Sequence, residues 1–466
     1  MKPIYYNLND LFKTLTLFDG MGISFHHHLR NGDAITNLIT TEFHHRNLKK
    51  LRLFPSAIFP SYHGILTLLK ADQVDTITTN YLNGPVADYF AKHGKPNSLK
   101  MQTHGGRARA FIEGENKVDI AFVTAPTVDR EGRASGTQGK SACGSLGYAI
   151  EDVHYASTVV LITDNLVDAL DHYQIDGTTV DAILVVESLG DARGIVSGTT
   201  SITNDPVGVK IARNATNLIQ ELGLIKPGFS FQSGAGGISL RVTESIKTLL
   251  RDKNITASFF SGGITKYHVD MLEEGLVKTL YDVQCFDLDA IKSIDKNPQH
   301  KAISANDYAN PNNPHRIIKD LDIVILGATE IDLDFNVNVT TDSYNTIIGG
   351  SGGHSDTATD AFVSFIVTPL MKARTPIIKE RVNTITTLGK HIDCLITERG
   401  IAINPRRHDL LEQLKDSHLD IVSIETLMAR AHHYTGSPQK TQPKKQPIGV
   451  VEDRDGTIID TLYTKE

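Results

Sequence analysis

DIVILGATEIDLDFNVN, residues 322–338, followed by GGSGGHSDTATDA, residues 349–361, is the stretch from which the rest of the chain can be read. Ile323 to Leu326 form a short, continuous apolar run, the mark of a strand buried on both faces. The run stops at Gly327-Ala328, so Thr329 and Glu330 fall where the strand ends. Ligands of open α/β sheets sit outside the carboxyl ends of strands, and a carboxylate there is placed for chemistry. The glycines Gly349, Gly350, Gly352 and Gly353 begin 19 residues after Glu330 (349 minus 330). Such a backbone can approach a ligand closely. An acidic strand end and an ordinary glycine turn is the plainer reading of the same residues.

Working outward, the stretch has a counterpart. DIAFVTAPTVDREGRAS from Asp119 aligns with it at an offset of 203 (322 minus 119). VVLIT ending at Thr163 matches SFIVT ending at Thr368, an offset of 205 (368 minus 163). Ser24-Phe25 matches Ser230-Phe231 at 206 (230 minus 24), and Tyr62-His63 matches Tyr267-His268 at 205 (267 minus 62). Four anchors at nearly one offset imply duplication of a domain, with a period far beyond the ~20–50 residues of solenoid repeats. Each copy alternates strands and helices, which predicts an α/β fold: two similar domains, each a mostly parallel sheet flanked by helices. The boundaries read as 1–205 and 206–466, with Asn204-Asp205-Pro206 as the switch and a β-hairpin tail over about 435–466. In that tail Asp455-Gly456 reads as the turn of a surface hairpin.

Composition narrows the class. A chain of 466 residues with 40% hydrophobic and 22% charged residues reads as an ordinary globular protein. A net charge of −7 argues against a general nucleic-acid binder. No apolar run approaches the ~20 residues that span a bilayer, and the first residues lack signal or transit character, so a cytoplasmic location is expected. Cys143, Cys285 and Cys394 contain no CxxC pair, which excludes a cysteine zinc cluster. Cys143 reads as a small buried residue rather than a nucleophile. Adjacent histidines such as His26-His27-His28 face opposite sides of a strand, so no metal is expected.

Two loops could carry chemistry. SFQSGAGGISL, residues 230–240, reads as strand, glycine loop and helix start. It fails the dinucleotide fingerprint because Ser239 stands at the third glycine, and no Gly-Lys-Ser/Thr follows. Its backbone N–H groups suit a carbonyl or oxyanion, although a structural turn fits the loop nearly as well. The first-half equivalent, SFHHHLRNGD, is rich in polar side chains instead. Thr127 matches Glu330, so only one half carries the carboxylate. THGGRARAFIEGE, residues 103–115, adds His104, Arg107 and Arg109. Arginine forks suit carboxylates, whereas a solvated edge is the bland alternative.

FDGMGISFHHHLRNGD, THGGRARA, GKSACGSLGYAIEDV, FQSGAGGISL, GGITKYHVDMLEEGL, ISANDYANP, EIDLDFNVNV, GGSGGHSDTA, ERGIAINPRRHDL and EDRDGTIID together strongly resemble the citrate lyase α-subunit family. The likeness is collinear from about Phe18 onward. It implies a two-domain fold related to the CoA-transferases and a citrate:acetyl-carrier-protein transferase. Citrate plus acetyl-carrier protein would give citryl-carrier protein plus acetate. A β subunit would then cleave the citryl thioester to oxaloacetate, and a γ subunit would be the acyl carrier protein. The resemblance implies no cofactor held by this chain itself. The acyl donor would be the carrier's dephospho-CoA-derived thioester arm or acetyl-CoA.

By the same resemblance, Glu330 is the catalytic carboxylate. Gly234, Ala235, Gly236 and Gly237 would supply oxyanion donors, and Gly349 to Gly353 would flank the thioester arm. For citrate, the candidates are His26, His27, His104 and Arg107, while His28 and Arg30 lie in a stretch that departs from the family pattern. Glu330 either attacks the acetyl thioester, passing through an anhydride to a glutamyl thioester, or positions citrate for direct attack. The alternatives are a free-standing CoA-transferase for another short acid and a non-catalytic scaffold.

Overall fold

The computed structural model describes residues 1–26, 29–196, 200–436 and 445–465. Two large sheets dominate it. In the first, the strands run Ile4–Tyr5, Ala182–Val185, Thr158–Thr163, Ile120–Thr124, Gly22–His26, Leu51–Leu53, Val74–Thr79 and Leu99–Met101, all parallel. In the second they run Gly400–Ile403, Cys394–Thr397, Val363–Val367, Ile323–Leu326, Ser230–Ser233, Ala257–Ile264, Val277–Cys285 and His300–Ala302. From the second strand on, the two orders are the same position by position; the first positions differ, Ile4–Tyr5 being the first strand of its half and Gly400–Ile403 the last of its half. Only the Gly400–Ile403 strand breaks the parallel pattern, pairing antiparallel with its neighbour.

The duplication extends to hydrogen bonds that fix the strands. Asp119 accepts from the Gly22 N–H at 2.6 Å, and Asp322 accepts from the Ser230 N–H at 2.8 Å. Each half also carries a small three-stranded sheet. Thr127–Asp129 pairs with Ala134–Ser135, and Glu330–Asp332 pairs with Val337–Asn338, so Thr127 faces Ser135 where Glu330 faces Asn338. Asp129 and Asp332 then close equivalent turns, each accepting from backbone N–H groups two and four residues on.

Strands buried on both faces explain the continuous apolar runs: Ile323 to Leu326 and Val363 to Val367 are buried throughout. At the junction of the halves, Asp205 caps the Pro206–Glu221 helix by accepting from the Gly208 N–H, and proline at the first turn gives up no needed donor. A cluster drawn from both halves, Ala108, Tyr148, Val283, Ala305, Tyr308, Ala309 and Ile318, packs them together.

The tail departs from its expected place. The hairpin Pro447–Glu452 and Ile458–Tyr463 does form, but it belongs to the first sheet rather than to the unit beginning at 206. Its first strand lies parallel to Leu99–Met101 and covers what would be an open edge, with Ile448, Val451 and Leu462 buried. Among the described residues no helix is long and apolar enough to cross a membrane.

Candidate functional site

In each sheet the chain runs outward on one side of a central strand and later returns to that strand's other side to run outward in the opposite direction, which makes a topological switch point and a crevice at the strand ends. In the second half this strand is Ser230–Ser233, flanked by Ala257–Ile264 and Ile323–Leu326. Loop 234–237 and residues 327–330 therefore leave neighbouring strands side by side. The Gly234 N–H donating to the Ile325 carbonyl at 2.8 Å fastens them. Gly234, Ala235 and Gly237 are half-buried and Gly236 is exposed, at the start of the Gly237–Lys253 helix. A helix start offers N–H groups and a positive dipole end to an anion.

Glu330 is 2% exposed and sits in a polar nest. One carboxylate oxygen accepts from Asn338 Nδ2 and from the Asn383 N–H, both at 3.0 Å; the other accepts a short bond from the Ser343 hydroxyl. Lys379 Nζ lies 3.8 Å away. None of these partners is marked by the strand-end pattern. The repeated position opposite Glu330 could have singled out Asn338.

The glycine loop runs from the second half onto the first. Leu82 N–H donates to Gly349 O, and His104 N–H donates to Gly352 O at 2.9 Å. Gly350 must be glycine, since a Cβ there would lie 2.2 Å from the Asn80 carbonyl oxygen. A Cβ on Gly353 would sit 2.7 Å from the Tyr308 hydroxyl. His354, next in the chain, has Nε2 2.9 Å from Gly327 O and Nδ1 2.8 Å from the Thr387 hydroxyl. It thereby ties the glycine loop to the strand end carrying Glu330. Burial lowers its pKa to about 4, so the ring is neutral.

The structure gathers part of the expected citrate set. The rings of His26 and His104 both meet Tyr148, at 5.4 Å edge-on and 4.1 Å stacked. Desolvation, then the nearby Arg107 charge, lowers His104 to about 3. Its Nδ1 is buried without a hydrogen-bond partner among the described residues. A neutral imidazole nitrogen left in that position suits a ligand hydroxyl or carboxylate. His27 and His28 lie outside the described residues.

Arg107 differs from expectation. Its guanidinium is 4% exposed and forks onto Asp152 at 2.7 and 2.8 Å, while also donating to the carbonyls of Phe54 and Tyr148. A guanidinium so occupied inside the protein holds Tyr148 in place instead of reaching a substrate. Arg109 is likewise engaged, with Glu113 and Glu115. Arg30 lies where the halves meet, its guanidinium over the rings of Phe59 at 5.4 Å and Phe286 at 5.0 Å, one from each half, and donating to the Ile195 carbonyl at 3.3 Å. Burial lowers its pKa, and Tyr81, Tyr62 and Tyr148 surround it. Tyr81 in turn lies beside Gly349.

One group among the described residues has the ligand types of a metal site, Asp282, Cys285 and His300, all buried. Asp282 Oδ2 accepts from the Cys285 thiol at 2.9 Å and lies 3.0 Å from His300 Nε2, while Asp282 Oδ1 is buried without a hydrogen-bond partner among the described residues. Cys143 and Cys394 are buried, and burial pushes their thiols above the usual range.

The family profile described as "Citrate lyase, alpha subunit (CitF)" matches residues 2–465. The citrate lyase α chain of Haemophilus influenzae is 41% identical over 458 residues, covering 98% of this chain and 92% of the relative. A crystal structure described as the α subunit of citrate lyase in complex with citrate, from Streptococcus mutans, superposes with a TM-score of 0.96. It is 40% identical, over 100% of this chain and 91% of that one. The α subunit of a malonate decarboxylase from Acinetobacter baumannii shares the fold at a TM-score of 0.67 and 14% identity, covering 91% and 87% of the two chains.

Proposed function

The chain belongs to the citrate lyase α-subunit family and is a transferase, and from that premise we propose how its cleft exchanges acetyl for citryl on a carrier thioester. Citrate enters as a carboxylate, the acetyl thioester is consumed, and acetate leaves as citryl-carrier protein forms. The observation that carries this reading is the asymmetric crevice between the two switch points. One wall offers Arg30, His26 and His104 to a polyanion. The other offers a glycine loop, a helix start and one carboxylate, Glu330.

The chemistry asked of these groups follows from their nature. Exchange of carboxylates on a thioester passes through oxyanions, which N–H donors at 234–237 stabilise without reorganisation. Arg30 and the neutral His104 would hold citrate carboxylates and hydroxyl, with His26 and His27 beside them. Gly349, Gly350, Gly352 and Gly353 would leave room for the narrow thioester arm. Glu330 would act either as nucleophile, forming an anhydride and then a glutamyl thioester with the carrier thiolate, or as an anchor for citrate attacking directly. Its dense hydrogen bonding favours the anchor, because a carboxylate with three donors is a weaker nucleophile until one is withdrawn.

Family membership implies action within a multi-subunit complex together with an acyl carrier protein. In that complex we place a β subunit that cleaves the citryl thioester and a γ carrier bearing a dephospho-CoA-derived arm, in the cytoplasm. The test is exchange of labelled acetate between acetyl-carrier protein and citrate, with succinate as control. Citrate-dependent release of acetate is expected. Equal rates with succinate favour a general CoA-transferase, and no exchange favours a scaffold. Incubation with acetyl-carrier protein alone, followed by a search for a hydroxylamine-sensitive adduct on Glu330, separates the two routes.

A further inference from the structure

Two buried carboxylates are exchanged between the halves. Asp356, in the His354–Asp360 helix of the second half, accepts from the Thr103 hydroxyl at 2.8 Å and the Gly105 N–H at 2.9 Å, at the start of the first-half helix His104–Ile112. Glu151, in the Ile150–Tyr155 helix of the first half, accepts from the Asn306 N–H at 3.0 Å, at the start of the second-half helix Ala305–Ala309. The two sites correspond in detail. Thr103 and Ser304 are the helix caps, each accepting from the N–H three residues on. Gly105 and Asn306, each two residues after its cap, donate to the carboxylate from the other half. Glu151 and Asp356 stand 205 residues apart (356 minus 151), one of the offsets of the duplication. Where the capped helices meet, a Cβ on Gly105 would lie 2.0 Å from the Ala309 carbonyl oxygen.

The surroundings of the two differ. The residue after Thr103 is His104, whose N–H binds Gly352 O and whose ring stacks on Tyr148. Asp356 itself stands in the first turn after the glycine loop, whose last residue, Gly353, caps its helix. One carboxylate thus spans from the glycine loop to the imidazole wall of the cleft. The residue after Ser304 is Ala305, packed in the core between the halves, and Tyr148 on that side is held independently through Arg107.

We infer that Asp356 is a positioning residue that fixes the spacing between the 349–353 glycine loop and His104, whereas its twin Glu151 only joins the halves. The inference rests on the citrate-exchange reading of the cleft. Moving a binding group by about an ångström is enough to lose much of its contribution. Glu151 supplies the internal control, because it makes the same kind of bond at the same interface.

The test uses the α chain assembled with its carrier and lyase subunits. Wild type, Asp356→Ala, Asp356→Asn and Glu151→Ala are compared for melting temperature, citrate KM and kcat in the labelled-acetate exchange. Both alanine variants should melt earlier by similar amounts. Asp356→Ala should raise citrate KM about tenfold or more with kcat changed less than about threefold, and Glu151→Ala should leave KM within about twofold. Asp356→Asn keeps an acceptor for the Gly105 N–H and should restore most of the loss. Equal KM values for the two alanine variants overturn the role of Asp356. Should Asp356→Ala not fold, Thr103→Val decides: removing half of the bridge should raise KM about threefold, and an unchanged KM overturns the inference. A wild-type enzyme without citrate-dependent exchange overturns the functional reading instead.

Discussion

The two halves lay seven strands in one order, yet the equivalent strand ends carry Thr127 in the first and Glu330 in the second. Around that position the duplication keeps what holds the frame and changes what faces the crevice. The aspartates that fix strand starts and turns are retained. His26 stands at the end of one switch-point strand, while Gln232 in the other is hydrogen bonded to the Tyr308 hydroxyl at 2.8 Å. Ser135 faces Thr127 where Asn338 faces Glu330. A shared frame with unlike strand ends produces one cleft with two chemically different walls, which a reaction joining a polyanion to a thioester requires.

The sharpest way to break this comparison is to exchange the unlike positions. Glu330→Gln should lower acetyl–citryl exchange by about 10³-fold, about 4 kcal/mol of barrier, while Thr127→Ala should stay within about twofold. Initial rates of labelled-acetate release measure both, and a fully active Glu330→Gln would remove the asymmetry from the mechanism. Next comes the frame. Arg107→Met leaves the Asp152 carboxylate buried without its partner and should destabilise the protein by about 3 kcal/mol or more in urea unfolding.

A smaller effect separates the corresponding histidines, His63 exposed and His268 1% exposed. Desolvation lowers the pKa of His268 to about 4 from 6.5. The folded form binds its proton more weakly than the unfolded chain. The associated stability is therefore fully present above pH 6.5 and is lost as pH falls toward 4. Replacing His268 with Gln should reduce the stability lost between pH 7.5 and pH 5 by about 2 kcal/mol. Unfolding curves of the wild type and His268→Gln at the two pH values measure the difference. Smallest, Asn338→Ser installs the first-half residue beside Glu330 and should slow exchange about tenfold, removing the Nδ2 bonds to Glu330 and to Thr341.

Much of the frame was legible because duplication writes it twice: the alternation of strands and helices and the lone Glu330 follow from comparing offsets. The glycine loops were legible because few other residues permit such close backbone approach. The partners were not. Arg107 reads as a carboxylate binder from its chemistry, and it is one, but the carboxylate is Asp152, 45 residues along the chain. Arg30 meets Phe59 and Phe286, one from each half, a contact that no local pattern signals. Nothing local says that Asp356 caps a helix 251 residues away from it. Nor does a two-strand pattern say which sheet edge it will join, since the hairpin's pairing depends on which edge is left open.

That hairpin has a consequence for how the molecule is made. Its strand begins at Pro447 and docks beside Leu99–Met101, 346 residues earlier (447 minus 101). At roughly 5–20 residues per second of synthesis, the edge of the first sheet waits on the order of 20–70 s for its cover while the whole second half emerges. During that interval the nascent chain presents unpaired backbone to its neighbours on the same message. Synthesis of the hairpin is thus the step that ends the exposure of this edge to mispairing, and ribosomes spaced closely along the message carry several such edges at once.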